Sequence, residues 1–464
     1  MTNTYRDLIH QTFDFPQNGF EEKDGELIFN GVRVMDIIRR YGTPLKLIYL
    51  PKISEKIQEA QAMFRKAFRQ HNYKGKYYYS YCTKSSHFSY ILEQVLKNKV
   101  HLETSYAYDI DIIRRLHQRK LLDKERYIIC NGFKERTYTS KIAGLINDGF
   151  VNTIPVLDNK EELEAYQRSV RGVCKIGIRI AAEEEPTFEF YTSRLGIRWR
   201  DILEFYVQQI HNNKKFELRM LHFFINTGIR DNAYYWSELN KALNVFCQLR
   251  KICPTLSALN IGGGFPIRNS LGFEYDYQYM VSEIVAQIKN ACRRNRIPVP
   301  DIFTEFGSYT VGECGANIYK VIGQKQQNDA ELWYMIDSSF ITTLPDTWGI
   351  GQRFLMLPIN KWDKEYQKVN LGGLTCDAQD YYNSEVHINQ VFLPKIHNGD
   401  ALYIGFFHTG AYQDQLSGYG GIKHCLIPSP KVVLIDRDKD GKLTDRLFAR
   451  QQTAASMLKI LGYS

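Results

Sequence analysis

The most regular feature of the chain is a series of short apolar, β-branched or aromatic runs separated by segments of helical periodicity. Helix-length segments such as FSYILEQVLKN and YDIDIIRRLHQ place apolar residues three and four positions apart. We therefore expect eight βα units in succession. Their strand-like runs are KYYYSYC, VHLETS, RYIICNG, NTIPVLD, KIGIRIA, LRMLHFFINT, LSALNIGGG and DIFTEFGSY.

Eight βα units within about 250 residues predict a closed (β/α)8 barrel of the TIM type, in the α/β class. An open doubly wound sheet is the alternative, and we favour it less because few open sheets use so many units. The polar residues also favour the barrel, because they collect at the carboxyl ends of the runs, where a barrel has its active site. They are Lys84, Glu103, Asn131, Arg179, Asn226, Thr227, Gly262 to Gly264 and Glu305.

After about residue 325 the pattern changes to short extended runs broken by turn residues, for example FLMLPI, ALYIGFF and KVVLID. This pattern predicts a second, mostly antiparallel β domain over residues 326–464. The barrel is then expected over residues 46–325. The first 45 residues contain the strand candidate GELIFNGVRV, which we expect to join the C-terminal β domain.

Composition limits the classes of function. The chain has 464 residues, of which 44% are hydrophobic, so it can bury the cores of two or more domains. The net charge of +9 comes from 60 basic and 51 acidic residues without a long basic run, so no nucleic acid partner is expected. Nine scattered cysteines favour a reducing compartment, and neither a signal-like N-terminus nor an apolar run of about 18 residues occurs. We therefore expect a cytoplasmic protein without a membrane partner.

Lys84 is the first candidate for chemistry. It follows the first strand-like run, where neighbouring Tyr and Cys side chains can desolvate its amine and let it condense with an aldehyde. Pyridoxal phosphate needs such an anchor. Gly262, Gly263 and Gly264 follow the seventh run, where backbone N–H groups can approach a phosphate, although a simple tight turn is the alternative. Glu305 could keep a pyridine nitrogen protonated, or it could be an ordinary salt-bridged carboxylate.

Three further positions carry weaker evidence. Arg179 lies within a strand predicted to be buried, so it needs an anionic partner such as Glu103 or a phosphate. Cys376 and Asp377, in GGLTCDAQDYY, could supply a proton donor and an amine-binding anion, although a lone cysteine is more often an inert buried side chain. No metal site is expected there, because the thiol and its carboxylates have no histidine at ligand spacing.

Taken in order, these residues resemble the pyridoxal phosphate decarboxylases with an alanine-racemase-like barrel, namely the ornithine, diaminopimelate and biosynthetic arginine decarboxylases. The resemblance runs from about residue 45 to 430. It implies that Lys84 is the Schiff-base lysine and that Glu103 and Asp109 form the acidic pair after the second strand. The cofactor-binding residues that it implies are Lys84, Glu103, Arg179, Phe224, Thr227, Gly262, Gly263, Gly264, Glu305 and Tyr412.

The resemblance also implies a substrate and an assembly. Cys376 and Asp377 match a Cys-Asp pair that the family carries across a dimer interface, with the cysteine as catalytic proton donor. The segments LPDTWGIGQ and TGAYQD look most like the biosynthetic arginine decarboxylases. The implied reaction is conversion of L-arginine to agmatine and CO2 in polyamine biosynthesis, by a homodimer with shared sites or a higher homo-oligomer. The implied substrate-binding residues are Asp346, Asp377 and Asp380.

Four positions depart from the family pattern. Phe224 stands where a histidine usually stacks on the cofactor, and a phenyl ring can still stack there. Asn226 and Thr227 replace Gly-Ser, and Thr227 keeps a hydroxyl group. Ser308 replaces an arginine, a loss that Arg179, Arg194 or backbone groups could offset. Other readings stay open: a decarboxylase of ornithine, lysine, diaminopimelate or a carboxylated polyamine, a racemase or cofactor carrier, or a barrel for another phosphorylated ligand.

Overall fold

The computed structural model describes residues 3–182, 193–225, 229, 232–382, 391–397 and 399–463. The chain divides into two compact units. The barrel unit comprises Ile53–Pro266 and Tyr275–Thr310, and the sheet unit comprises Met1–Lys52, Ile267–Glu274 and Val311–Ser464. The domain boundaries at residues 45 and 325 stay predictions, because compactness does not show which segments fold independently.

The N-terminal segment contributes two kinds of strand to the sheet unit. The predicted strand GELIFNGVRV forms part of a small antiparallel sheet of three strands, and the large sheet takes Leu45–Tyr49 instead. All five residues of Leu45–Tyr49 are buried, as is typical of a strand covered on both faces. The elements are α1 (Tyr5–Thr12), β1 (Phe20–Lys23), β2 (Glu26–Phe29), β3 (Val32–Arg33), α2 (Val34–Tyr41) and β4 (Leu45–Tyr49).

The barrel unit is a closed barrel of eight parallel strands, so the predicted fold class is confirmed and the open sheet is wrong. Each of the eight predicted runs overlaps one strand. The strands are β5 (Tyr77–Cys82), β6 (His101–Thr104), β7 (Ile128–Cys130), β8 (Thr153–Leu157), β9 (Cys174–Arg179), β10 (Phe216–His222), β11 (Ala258–Asn260) and β12 (Asp301–Phe306).

The barrel closes where β12 pairs with β5, with Glu305 opposite Ser80. Within the described residues, one helix precedes the first barrel strand and one follows each of the eight strands, as in right-handed βα units. They are α3 (Pro51–Gln70), α4 (Ser89–Leu96), α5 (Ala107–Gln118), α6 (Arg136–Asn147), α7 (Glu162–Ser169), α8 (Trp199–Phe205), α9 (Asn232–Ile252), α10 (Tyr277–Asn295) and α11 (Ser308–Val311).

Apolar side chains fill the barrel interior. The rings of Tyr78 and Phe303 stack with centroids 4.5 Å apart. A Cβ atom at Gly177 would lie only 3.1 Å from the Val156 side chain, so the glycine leaves room for the larger side chains around it. The buried cluster consists of Ile129, Ile154, Val156, Met220, Ala258 and Phe303. Because these side chains occupy the barrel, polar groups are left to its ends.

The C-terminal part of the sheet unit is mostly antiparallel, which confirms the predicted second domain type. Most of its strands join β4 in a nine-stranded sheet, while β16 and β19 pair separately. The strands are β13 (Gly315–Asn328), β14 (Glu331–Ile336), β15 (Leu355–Pro358), β16 (Tyr366–Lys368), β17 (Asn370–Gly372), β18 (Tyr381–Tyr382), β19 (Phe392–Pro394), β20 (Leu402–Phe407), β21 (Lys431–Arg437) and β22 (Leu443–Ala449). The helices are α12 (Phe340–Thr343), α13 (Pro345–Gly349), α14 (Gln413–Leu416) and α15 (Ala454–Ile460).

Two buried clusters of apolar side chains support this sheet, one of them built around the edge-on contact of Tyr382 and Phe406, whose ring centroids are 4.9 Å apart. Across the described ranges, no helix is both long enough and apolar enough to span a membrane.

Candidate active site

Lys84 lies at the carboxyl end of β5, in a 3-10 turn formed by Thr83–Ser85. The Thr83 hydroxyl donates to the Glu103 carbonyl at 3.1 Å, which ties the turn to the neighbouring strand β6. The Lys84 side chain is 46% exposed, so the expected desolvation of its amine is wrong. Its Nζ lies 3.5 Å from Oε1 of the fully buried Glu103. The amine is thus open to a ligand, while the carboxylate beside it is not.

Two buried carboxylates share one amide. The Nδ2 of Asn131 donates to Glu103 Oε1 at 3.1 Å and lies 2.9 Å from both carboxylate oxygens of Glu305. Ser105 Oγ also donates to Glu103 Oε1, at 2.9 Å. Glu103 and Glu305 come from β6 and β12, and Asn131 follows β7, so the barrel brings distant parts of the sequence to one end. One amide group with two N–H donors reduces the repulsion between two anions.

Glu305 is held in its charged form. Asn260 Nδ2 donates to Oε1 at 2.6 Å, and His222 Nε2 lies 3.3 Å from Oε2. Burial by itself raises the pKa of Glu305, but His222, the positive charge of Lys84 and the Asn131 hydrogen bond outweigh burial and lower the pKa below its ordinary value. A carboxylate that stays ionised in this buried place can stabilise a cation bound next to it.

Several polar atoms of this group lack a protein partner. Within the residues that the structure describes, Glu103 Oε2, Asn131 Oδ1 and His222 Nδ1 are buried and make no hydrogen bond. An unsatisfied buried polar group costs roughly 1–3 kcal/mol, so native proteins keep such groups mainly where a ligand or water completes them. The chemistry of the group, with two carboxylates, an amide and an imidazole, fits a polar heteroaromatic ring.

The Gly262–Gly264 segment is more than a simple turn. Gly262 and Gly264 have φ angles of +66° and +97°, which favour glycine. A Cβ atom at Gly263 would lie 2.3 Å from the carbonyl oxygen of Glu305, and Glu305 N donates to the Gly262 carbonyl at 2.8 Å. The segment therefore lies against the backbone of the carboxylate strand. No side chain fits at Gly263, so a ligand at this segment would meet backbone groups only.

Arg179 and Phe224 form a further pair at this end of the barrel. Arg179 is buried at the end of β9, and its guanidinium carbon lies 5.8 Å from the Phe224 ring centroid, within cation–π range. Phe224 is half-buried. The predicted phosphate residue Thr227, with Asn226, lies outside the described residues. Ser308 is half-buried at the start of α11, and Arg194 is exposed.

Asp109 stabilises the loop that follows β6. Its Oδ2 accepts the backbone N–H groups of Ser105 and Tyr106 at 2.9 and 3.1 Å, and Oδ1 lies 2.9 Å from His87 Nε2. Burial raises the pKa of Asp109, but the bond to His87 and the two backbone N–H groups outweigh it and lower the pKa. Asp109 therefore fixes the loop that carries Ser105, a donor to Glu103.

In the sheet unit, Cys376 and Asp377 are exposed, so the expected alternative of an inert buried cysteine is wrong. Asp380 differs from both, because it is buried and its oxygens accept from Phe340 N, Thr375 N and Thr375 Oγ1 at 2.7–3.0 Å. Since Oδ1 is occupied by the start of α12 and Oδ2 by its own loop, we propose a structural role for Asp380 in place of the predicted substrate contact.

Asp346 and Tyr412 lie in neighbouring segments of the same unit. The Gln413 side chain donates to Asp346 Oδ2 at 2.7 Å, and Tyr412 directly precedes Gln413 with a φ angle of +67°. Burial raises the pKa of Asp346, and the Gln413 hydrogen bond opposes this shift. The substrate role of Asp346 and the phosphate role of Tyr412 stay predictions.

The site also contains three residues for which no role was predicted from the sequence, namely Asn131, His222 and Asn260. Asn131 was recognisable at the end of a strand-like run, whereas His222 lies within the run LRMLHFFINT, and a polar residue at either place has many possible partners. Asn260 lies at the end of β11, two residues before Gly262, whose backbone N–H it accepts at 2.9 Å. The sequence signal that could have identified Asn260 was its position at the end of a strand, just before three glycines.

Comparison with known proteins gives the class of this site. Residues 54–312, more than half of the chain, match the family described as pyridoxal-dependent decarboxylase, pyridoxal binding domain. The chain belongs to this family of pyridoxal-dependent decarboxylases. The predicted family, enzyme class and pyridoxal phosphate cofactor are thereby confirmed.

Individual relatives have low sequence identity to this chain but match most of its length. The biosynthetic arginine decarboxylase of Prochlorococcus marinus strain MIT 9215 is 22% identical over 92% of this chain and 83% of its own. The crystal structure of the biosynthetic arginine decarboxylase from Campylobacter jejuni has a TM-score of 0.82 at 21% identity, over 99% of this chain and 90% of its own. That of the diaminopimelate decarboxylase from M. jannaschii with L-lysine has a TM-score of 0.79 at 16% identity, over 95% and 97%. These structures share the fold.

We predict that Gly263→Ala removes most of the bound cofactor. The added Cβ would meet the Glu305 carbonyl at 2.3 Å, so the glycine segment and the carboxylate strand must separate, at a cost of about 1–3 kcal/mol for such overpacking. Absorbance of the purified protein measures cofactor occupancy, and thermal unfolding measures stability. Gly172→Ala is the control, because its Cβ meets nothing within 4 Å. Full occupancy in Gly263→Ala would contradict the close packing.

Proposed function

We propose that the protein decarboxylates L-arginine to agmatine and CO2, as a step in polyamine biosynthesis. The observation that carries the chemistry is the exposed Lys84 amine next to the buried Glu103, Asn131 and Glu305 network in a pyridoxal-dependent decarboxylase barrel. Support for arginine comes from the extended similarity to biosynthetic arginine decarboxylases. The carboxylates of Asp346 and Asp377 add charge suited to a guanidinium.

Lys84 is the proposed covalent anchor. When bound, pyridoxal phosphate supplies an electron sink for the carbanion that remains after CO2 leaves. Lys84 is half-exposed, so its amine can be displaced by the substrate amine and can return afterwards without a large rearrangement. Glu103, fixed by Ser105 and Asn131, holds the amine at one side.

Glu305 is the proposed partner of the pyridine nitrogen. Asn131 and Asn260 occupy its oxygens from two sides, so the carboxylate cannot rotate freely. Because the surroundings lower its pKa, Glu305 stays ionised and favours a proton on the ring nitrogen over a proton on itself. That proton makes the ring the stronger electron sink.

For the phosphate we propose the backbone of Gly262–Gly264, with Thr227, Tyr412 and the Arg179 guanidinium. Arg179 supplies a buried positive charge, which the serine at position 308 cannot supply. The Phe224 ring packs on this guanidinium and offers an apolar face for stacking.

Cys376 is the proposed acid that returns a proton to Cα, and Asp377 and Asp346 are the proposed partners of the substrate guanidinium. A planar guanidinium forms paired charge-assisted hydrogen bonds with carboxylates that an ammonium cannot reproduce. By resemblance to the family, Cys376 acts in the site of the partner subunit of a homodimer. We also propose a cytoplasmic location, since all nine cysteines are free thiols.

Lys84→Ala is predicted to abolish the visible absorption band of the lysine-linked cofactor, together with decarboxylation. Without the amine no covalent link forms. Absorbance before and after borohydride measures the link, which the reagent traps in the unaltered protein. Lys74→Ala, at an exposed lysine of the same unit, is the control and should keep the band. A band that persists in Lys84→Ala would end this assignment.

L-arginine is predicted to be decarboxylated with a kcat/KM about 10- to 100-fold above that of ornithine, lysine or diaminopimelate, because a hydrogen bond to a charged group contributes roughly 1.5–3 kcal/mol. CO2 release and product mass measure the preference, and a carboxylated polyamine completes the panel. Asp346→Asn should raise KM for arginine, while Asp329→Asn, at an exposed carboxylate, should not. If another substrate is preferred, the assignment of arginine as the substrate is wrong. If the configuration at Cα is inverted without release of CO2, the protein is a racemase.

Mixing Lys84→Ala and Cys376→Ala proteins is predicted to restore activity. Random exchange makes half of the dimers mixed, each with one intact site of two, so recovery should approach about one quarter of the normal rate. The measurement is arginine decarboxylation after exchange, with each variant alone as control. If exchange is verified by differently tagged subunits and no activity returns, the shared site is wrong.

A further inference from the structure

A cluster of metal-ligand side chains lies in the sheet unit. The Sγ atoms of Cys376 and Cys425 are 3.6 Å apart, and a ring nitrogen of His424 lies with both thiols inside a group whose ligand atoms are all within 4.8 Å of one another. All three residues are exposed. Cys376 and Cys425 are the only exposed cysteines among the nine, since the other seven are buried.

The three side chains come from two segments of the chain, one with Cys376 and one with His424 and Cys425, and the backbone of each segment is held in place. His424 and Cys425 belong to a short turn in which Cys425 and Leu426 have φ angles of +53° and +56°. Non-glycine residues adopt this conformation rarely and at some cost, and such positions are frequent in functional sites. The opposite segment is fixed by Asp380, which binds the backbone N–H and hydroxyl of Thr375 next to Cys376.

We propose that Cys376, Cys425 and His424 form a binding site for a Zn²⁺ ion. Two thiolates and an imidazole are the ligands that zinc prefers. In a tetrahedral site with Zn–S bonds of about 2.3 Å, the two sulfurs are about 3.8 Å apart. The observed 3.6 Å is close to that separation and well above the disulfide bond length of about 2.05 Å.

Asp377 is an exposed neighbour that reaches the ion only if its side chain turns. Its Oδ2 lies 3.9 Å from His424 Nε2, outside the set of mutually close ligand atoms. Otherwise water takes the fourth position, as in zinc sites with three protein ligands. The two thiols give up their protons to solvent when the ion binds, and no oxidant or reductant is needed.

Zinc and catalysis would compete for Cys376. A thiolate bound to zinc cannot donate a proton to Cα, so the ion should inhibit decarboxylation reversibly. This consequence rests on the proposed function of Cys376, whereas the binding itself does not.

Binding is tested on the tag-free, reduced protein with its cofactor, using Co²⁺ as a spectroscopic substitute for zinc. We expect one tightly bound ion for each chain, with the visible bands of a tetrahedral cobalt thiolate that Zn²⁺ displaces. Alkylation of the two exposed thiols should slow in parallel. Cobalt bound without thiolate bands, or no binding at all, overturns the site.

Ligand variants define the site. Cys425→Ser and His424→Ala should each weaken zinc binding by more than the about 10- to 100-fold typical of losing an outer-shell partner. His397→Ala, at an exposed histidine of the same unit, is the matched control and should bind as the unaltered protein does. Using two ligand variants covers the case in which one of them does not fold. Unchanged affinity in a folded ligand variant contradicts the proposal.

Activity separates the two proposals. Zinc should inhibit arginine decarboxylation in the unaltered protein, a chelator should reverse this, and the Cys425→Ser rate should resist zinc relative to its own zinc-free value. If zinc binds through the thiols but the rate is unchanged, the proton-donor role of Cys376 is wrong and the metal site stands. If zinc inhibits Cys425→Ser equally, inhibition arises elsewhere and the competition is wrong.

Discussion

Glu103 and Glu305 place two buried carboxylates at the carboxyl end of the barrel strands, where water cannot screen their repulsion. The amide of Asn131 reaches both, and the positive charge of Lys84 and the His222 imidazole offset the remaining negative charge. This compensation requires a closed barrel, since β12, the last barrel strand, becomes a neighbour of β5 only through closure. Among the described residues Glu103 Oε2 has no hydrogen-bond partner, which leaves this oxygen for a ligand or water.

The same end of the barrel joins the charge network to the glycine segment. Gly263 packs so closely on the Glu305 carbonyl that the position of one fixes the position of the other. A phosphate held by the glycine backbone and a ring held by the carboxylate would therefore be set at a constant separation. Apolar packing below this layer, around Met220 and Phe303, keeps the strands that carry these groups in register.

The sheet unit shows how one loop can serve two kinds of chemistry. Asp380 uses one oxygen to hold the loop at Thr375 and the other to bind the backbone of Phe340, while Cys376 and Asp377 of the same loop are exposed. An exposed thiol can act as an acid for a substrate, and it can equally bind a soft cation when a second thiol and an imidazole are near. The presence of Cys425 at 3.6 Å thus gives the proposed catalytic acid a possible regulator.

The sequence by itself determined the eight strands, the barrel and the positions of Lys84, Glu103 and Glu305 at one end, because periodicity and strand order record local and repeated structure. The family was indicated by the resemblance of these residues, taken in order, to known decarboxylases. It did not determine the partners of these residues. The exposure of Lys84, the capping of a loop by Asp109 and the occupied oxygens of Asp380 depend on contacts between segments. Cys376 and Cys425 are 49 residues apart, and no ligand spacing connects them. Only the tertiary structure decides such neighbours, because side chains meet through the path of the folded backbone and not through their distance along the chain.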